Sequence, residues 1–134
     1  MFIKPITVRI VAYGTKANVA AIRTRAIALL KDEHGKADPA LCVEMEAKDA
    51  HAEIAGKRWE SESELKKATP SQAGIAITLP EVNERATSEW LRELPAAKSC
   101  IVFATWTSPR ESLDYQMLIA DGDRATDSRA STQQ

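Results

Sequence analysis

Two patterns of apolar side chains follow one another at the start of the chain. They first recur at every second residue and then at every third or fourth residue. The two-residue repeat predicts a strand with one buried face, and its apolar positions are Ile6, Val8, Ile10 and Ala12. From Lys16 to about His34 the apolar residues recur every three or four positions, which predicts an amphipathic helix. Thr15 is suited to cap the beginning of this helix, and Gly35 is suited to follow its end.

Residues 39–56 carry two conflicting patterns. The pair Asp38 and Pro39, followed by a stretch rich in Ala, Glu and Lys, is typical of a helix start. Apolar and polar residues nevertheless alternate here in two short runs, whose apolar members are Leu41, Val43, Met45 and Ala47, then Ala52, Ile54 and Gly56. A single helix would spread several of these residues over opposite sides. We therefore predict a β-hairpin over residues 39–56, with a helix as the alternative.

The rest of the chain contains patterns for two further helices and three strands. Ser61 and Glu64 have capping-box spacing, so we predict a short helix that Pro70 ends. Apolar runs and alternation predict three strands, at residues 73–79, 99–106 and 113–120. Between the first two of these strands, four-residue spacing predicts a helix capped by Thr78, and its apolar positions are Val82, Ala86, Trp90 and Leu94.

This order of elements predicts a single α+β domain over residues 1–120. A mixed β-sheet covered by two main helices follows most simply from it, and the arrangement resembles a ferredoxin-like sandwich with extra strands. Residues 121–134 contain nothing larger than alanine to bury. We therefore predict that they form a disordered tail.

Composition supports an ordinary soluble globular domain of the cytoplasm. The chain has 134 residues, of which 44% are hydrophobic and 28% are charged, a balance typical of one globular domain. No apolar run approaches the roughly 18 residues that a membrane-spanning helix needs. Cys42 and Cys100 lie far apart in apolar stretches, so we expect two reduced, buried thiols and a cytoplasmic location.

Charge is distributed unevenly along the chain. Residues 1–31 contain six basic side chains and no acid, whereas residues 32–64 contain ten acids and four bases. On the first predicted helix, Lys16 and Arg23 lie on one flank and Arg25 lies on the other side, while small residues occupy the outer face. We therefore expect the positive charge to be scattered and unable to act as one clamp on a phosphate backbone.

The sequence contains few groups that indicate catalysis or metal binding. No phosphate-binding glycine loop, nucleophile elbow or spaced set of metal ligands is present, whereas a catalytic site should bring several reactive groups together. We expect no cofactor and no metal, and we expect a protein that is not an enzyme.

Three aromatic residues near the ends of predicted strands suggest an interaction surface. Tyr13, Trp59 and Trp106 are of the types enriched at binding hot spots, and Lys16 and Arg23 would supply a charged rim. The favoured hypothesis is a small accessory or inhibitory domain that binds another protein, of the kind that phages and plasmids encode. A homo-oligomer is compatible with the same surface.

Two alternatives use other residues. A nucleic-acid-binding protein would use the bases of the first strand and helix, which are Arg9, Lys16, Arg23 and Arg25. An enzyme would need a concave site built from carboxylates, and the candidates are Glu44, Glu46 and Glu53.

Overall fold

A computed structural model describes residues 4–57, 67–94, 100–109, 113–120 and 126–131 of the chain. Six strands and three α-helices form within these ranges. In chain order they are β1 (Ile6–Gly14), α1 (Lys16–His34), β2 (Cys42–Glu46), α2 (Ala47–Lys57), β3 (Ala73–Val82), α3 (Glu84–Glu93), β4 (Cys100–Ser108), β5 (Leu113–Ala120) and β6 (Thr126–Ser131). A short 3-10 turn, Pro39–Leu41, precedes β2. The α+β class predicted from the sequence is confirmed.

The strands form one sheet in the order β2-β3-β1-β4-β5-β6. Every strand pairing among the described ranges is antiparallel, whereas the element order led us to expect a mixed sheet. The reason is that β3 lies between β1 and β2, which run in the same direction, so each of them meets an antiparallel neighbour. The order of the first four strands is compatible with the predicted ferredoxin-like arrangement.

The predictions for the first strand and helix are confirmed. The side chain of Thr15 accepts a hydrogen bond from the backbone N–H of Asn18 at 3.3 Å. Gly35 ends α1 in the left-handed conformation, with φ at 79°, which a glycine adopts without the strain of a Cβ. The buried face of α1 consists of Val19, Ile22, Ala26 and Leu30.

The β-hairpin predicted over residues 39–56 is wrong in its second half. Residues up to Glu46 form the expected strand, but the chain then turns directly into α2. Ala47, Ala50 and Ile54 are buried, and their spacing places them within one narrow sector of a helix. Packing of this sector against the sheet therefore determines the structure, although the local alternation favoured a strand.

The boundary between β3 and α3 also differs from the prediction. The strand continues to Val82, and Asn83 rather than Thr78 caps the helix by accepting a hydrogen bond from the N–H of Ala86 at 2.8 Å. Most of the short helix predicted after Ser61 lies outside the described residues. Residues 67–69, which precede Pro70, are not helical.

Residues 126–131 form β6, which pairs with β5. The sequence led us to expect a disordered tail there, because the segment has no large apolar side chain. Backbone hydrogen bonds to β5 hold this strand in the sheet without the burial of large apolar side chains, since a strand can join an existing edge through its main chain. Residues 121–125 and 132–134, which belong to the same predicted tail, lie outside the described part of the chain.

The sheet has an apolar cluster on each face. Helices α1 and α3 cover one face, where they pack on alternate residues of the central strands. On the opposite face α2 packs against a smaller cluster, formed by Val11, Tyr13, Ile101 and Phe103 together with the buried side of the helix. None of the helices in the described ranges is long and apolar enough to cross a membrane.

Both cysteines are free and buried. Burial raises the pKa of the Cys100 thiol to about 11, and burial, with a smaller contribution from nearby Cys100, raises the pKa of Tyr13 to about 12. Removing a thiol or phenol from water disfavours its charged form. Neither group is therefore ionised in the folded protein near neutral pH.

These shifts predict that the protein loses stability in alkali. Above pH 9 the unfolded chain releases a proton from Cys100 that the folded protein still holds, so the free energy of unfolding should fall by about 1 kcal/mol between pH 7 and pH 10. Urea unfolding at the two pH values measures this change. A Cys100→Ala variant should show a smaller fall, and an equal fall would contradict the assignment to Cys100.

Candidate functional site

The face of the sheet that carries α2 is covered only in part. Successive side chains of a strand point to opposite faces, so Thr7, Arg9, Val11 and Tyr13 share this face of β1. Val11 and Tyr13 lie in the cluster beneath α2. Thr7 is exposed and Arg9 is half-buried. No helix in the described ranges covers the beginning of β1 and the adjoining parts of β4 and β5, the two strands that follow β1 on this side of the sheet.

A groove of about 440 Å³ occupies this open part of the face. We call it the polar groove, and its polar lining consists of Thr7, Arg9, Thr105, Thr107, Asp114 and Gln116. Trp106 and Tyr115 also border the groove, but strand alternation places their rings on the opposite face of the sheet, in the cluster under α1 and α3. The groove is therefore formed by three adjacent strands, and its volume is in the range of binding sites.

An ion pair fixes the orientation of Arg9. Its Nε and Nη2 atoms donate to the two carboxylate oxygens of Glu53 at 2.8 and 2.9 Å, which is the bidentate geometry that gives Arg–carboxylate pairs their strength. The hydrogen bonds that Arg9 donates to Glu53 raise the pKa of Arg9 above its already high value. Glu53 belongs to α2, so this pair also links the helix to the strand beside the groove.

Asp114 supplies the groove with negative charge. The hydroxyl of Thr107 donates to its carboxylate at 2.6 Å across the β4–β5 pairing. Asp114 has no ion pair in the described part of the chain, whereas Glu53 neutralises Arg9. Among the described side chains, the groove therefore offers hydroxyl, amide and guanidinium groups together with one carboxylate that is not in an ion pair.

Trp106 is held in place from two sides. Its ring stacks on Tyr115, with centroids 5.7 Å apart and planes inclined by 8°. Its Nε1–H donates to a carboxylate oxygen of Glu84 at 2.8 Å, and the Ser108 hydroxyl donates to the other oxygen at 3.2 Å. These contacts fix the end of β4 beside the groove and join it to the first turn of α3.

We predict that Arg9 and Glu53 stabilise each other measurably. The side chains of Arg9 and Glu53 are 41% and 22% exposed, and solvent screening therefore reduces the stabilisation that the pair contributes. A double-mutant cycle of Arg9→Gln and Glu53→Gln should give a coupling free energy of about 1 kcal/mol. The more exposed pair of Arg85 and Glu89, at 3.8 Å, is the control and should give about 0.3 kcal/mol. Equal couplings from urea unfolding would contradict the prediction.

The structure does not bring the aromatic residues predicted to bind a partner onto one surface. Tyr13 is 1% exposed and Trp106 is 8% exposed, and they belong to the clusters on opposite faces of the sheet. Trp59 lies outside the described residues. Trp106 borders the polar groove through its strand, but its ring packs on the opposite face of the sheet. Burial of Tyr13 agrees with the common role of an aromatic residue near a strand end, which is to close the edge of the core.

The bases proposed for nucleic-acid binding do not share one groove. Arg9 lies on the face that carries α2, where it pairs with Glu53. Lys16, Arg23 and Arg25 belong to α1, which packs on the other face, with Arg23 half-buried and the other two exposed. Arg9 therefore lies on the other side of the sheet from the three bases of α1. Lys16 and Arg23, also proposed as the rim of a partner surface, lie away from the polar groove.

The carboxylates proposed for an enzyme site are separated. Glu44 and Glu46 are exposed on β2, and Glu46 lies 3.5 Å from Lys48. Glu53 is bound by Arg9. No group of three or more His, Cys, Asp or Glu side chains in the described ranges could hold a metal ion. That the protein is not an enzyme stays a prediction.

Most of the polar groove was missed by sequence reasoning. Arg9 was singled out, but Thr105, Thr107, Asp114 and Gln116 were not. A local signal existed only where the last two strands meet, because Thr105 and Thr107, and likewise Asp114 and Gln116, are polar residues two positions apart. In the comparisons with known proteins, no family model, no curated protein and no solved structure matches this chain.

Proposed function

We propose that this protein is a non-catalytic domain that binds another protein through the polar groove. The observation that carries the proposal is the open half of the sheet face, where polar side chains from three strands lie side by side next to α2. The other half of the same face is covered by a helix. A segment of a partner would occupy the uncovered half.

The chemistry of the groove indicates the kind of segment. Thr105, Thr107 and Gln116 supply donors and acceptors, and Asp114 adds a negative charge. A loop or peptide with polar side chains and at least one lysine or arginine would complement this surface. Arg9 is already oriented by Glu53, so little side-chain entropy would be lost when it donates to a partner.

The setting that we propose is an accessory or inhibitory protein in the cytoplasm, of the kind that phages and plasmids encode. Two free, buried cysteines support a reducing compartment. A domain with this role needs a recognition surface but no reactive centre. The polar groove would supply that surface.

Site-specific photo-crosslinking in cells that express the protein naturally tests this proposal. A photoreactive amino acid placed at Thr107, which is exposed in the groove, should give one discrete protein adduct. The matched control is Thr24, which is also an exposed threonine and lies on α1 at the other face of the sheet. The control position should not give the same adduct.

A second substitution tests whether the groove itself recognises the partner. Replacing Asp114 with lysine reverses the charge of the groove and should abolish the adduct formed at Thr107. An adduct that persists in this variant, or that also forms at Thr24, would contradict the proposal. Absence of any adduct at Thr107 would contradict it as well.

A further inference from the structure

The sheet ends on one side at the five-residue strand β2. In the part of the chain that the structure describes, β2 pairs with β3 only. No other strand of the described ranges pairs with the backbone groups on its outer side, and an unpaired edge of this kind is the basis of recognition by strand addition. This edge is distinct from the polar groove, which lies across β1, β4 and β5.

The two faces of β2 differ in chemistry. Val43 is 56% exposed, and it is the one large hydrophobic side chain in the described ranges that is exposed. Met45, two residues later, lies on the same face and packs partly under α2. Glu44 and Glu46 project to the other face and are exposed. The edge thus alternates apolar and acidic positions.

Charge disfavours a second copy of this chain as the occupant. A twofold antiparallel pairing centred on β2 would place Glu44 opposite the same residue of the other copy, and like charges directly opposite destabilise a strand pair. Glu44 has no ion-pair partner in the described ranges, and Lys48 balances Glu46 only through an exposed 3.5 Å contact. The negative charge of the edge is therefore available to a partner.

We infer that β2 binds an extended segment of another protein in which basic and apolar residues alternate. Its basic side chains would lie opposite Glu44 and Glu46, and its apolar side chains would lie beside Val43. Burial raises the pKa of the Cys42 thiol at the beginning of β2, and the positive charge of nearby Arg23 on α1 lowers it by a smaller amount. The basic residues of the partner are therefore placed toward the other end of the strand.

A synthetic peptide tests this inference on the purified protein. The probe is a capped seven-residue peptide of alternating lysine and valine, and the control peptide has the same composition with the lysines and valines in separate blocks. Amide hydrogen exchange is measured for each residue with and without peptide. The alternating peptide should slow exchange in Cys42–Glu46, and the blocked peptide should have little effect.

Charge-reversed variants test the role of the two glutamates. Replacing both Glu44 and Glu46 with lysine should weaken binding of the alternating peptide about tenfold, because two favourable cross-strand pairs become repulsive. The control replaces Glu89 and Glu93 with lysine, since these are exposed acids on α3 and the change in net charge is identical. That control should bind the peptide as the unmodified protein does.

Several results would overturn the inference. These are equal protection by both peptides, protection that falls on β4 and β5 instead of β2, equal weakening in both double variants, or self-association of the protein through β2. None of them bears on the adduct formed at Thr107. The inference about the β2 edge and the proposal about the polar groove can therefore be disproved independently of each other.

Discussion

Replacing Ile54 with alanine should lower the free energy of unfolding by about 3 kcal/mol and the melting temperature by about 10 °C. Ile54 is fully buried and is the largest side chain that α2 contributes to the cluster over Tyr13. Removing most of it would leave a cavity that the surrounding strands close only in part. Urea and thermal unfolding measure the loss.

The control for this prediction is Ala52→Ser on the exposed side of the same helix. It should change the free energy of unfolding by less than about 0.5 kcal/mol. Ile54→Ala should also weaken the coupling between Arg9 and Glu53, because the helix that positions Glu53 would be held less firmly. Equal losses for Ala52→Ser and Ile54→Ala would show that α2 is not anchored through Ile54.

Replacing Glu84 with alanine should cost about 2 kcal/mol of stability. Its carboxylate accepts from the Trp106 indole and from the Ser108 hydroxyl, and Ser108 is 1% exposed. Without the carboxylate both donors lose their partner, and a buried donor without an acceptor retains its full desolvation penalty. The first turn of α3 would also lose a favourable negative charge.

The Glu84→Gln variant separates the contribution of the hydrogen bonds from that of the negative charge. The amide keeps one carbonyl acceptor, so this variant should lose about half as much stability as Glu84→Ala. Glu89→Ala on the same helix is exposed and should be nearly neutral. The free energies come from urea unfolding. A glutamine variant as unstable as the alanine variant would show that charge, rather than hydrogen bonding, determines the effect.

Local patterns predicted elements well where one repeat extended over a whole element. β1 and α1 had such repeats, and Thr15 and Gly35 marked the helix ends. Prediction failed at residues 47–57, because the alternation of β2 was extended into the next element. Ala47, Ala50 and Ile54 already had helical spacing, but only their contact with the sheet decides between the two patterns.

The polar groove required knowledge that local patterns do not contain. The sequence placed Arg9 on the less apolar face of β1, but it did not reveal that β4 would pair with β1 and β5 with β4. It also gave no sign that Glu53, far along the chain, would reach Arg9. Strand order and the position of α2 determine both contacts, and they depend on the packing of the whole sheet.

The central place of β1 has a consequence for synthesis on the ribosome. Ile10 pairs with Ile77 on one side and with Ala104 on the other, so the earliest strand to emerge waits for both of its neighbours. At translation speeds of about 5–20 residues per second this wait lasts seconds. During that time the alternating isoleucines and valines of β1 are exposed to other nascent chains. We therefore expect that protein overproduced at high temperature accumulates in inclusion bodies, and that this aggregation appears before any loss of stability of the folded protein.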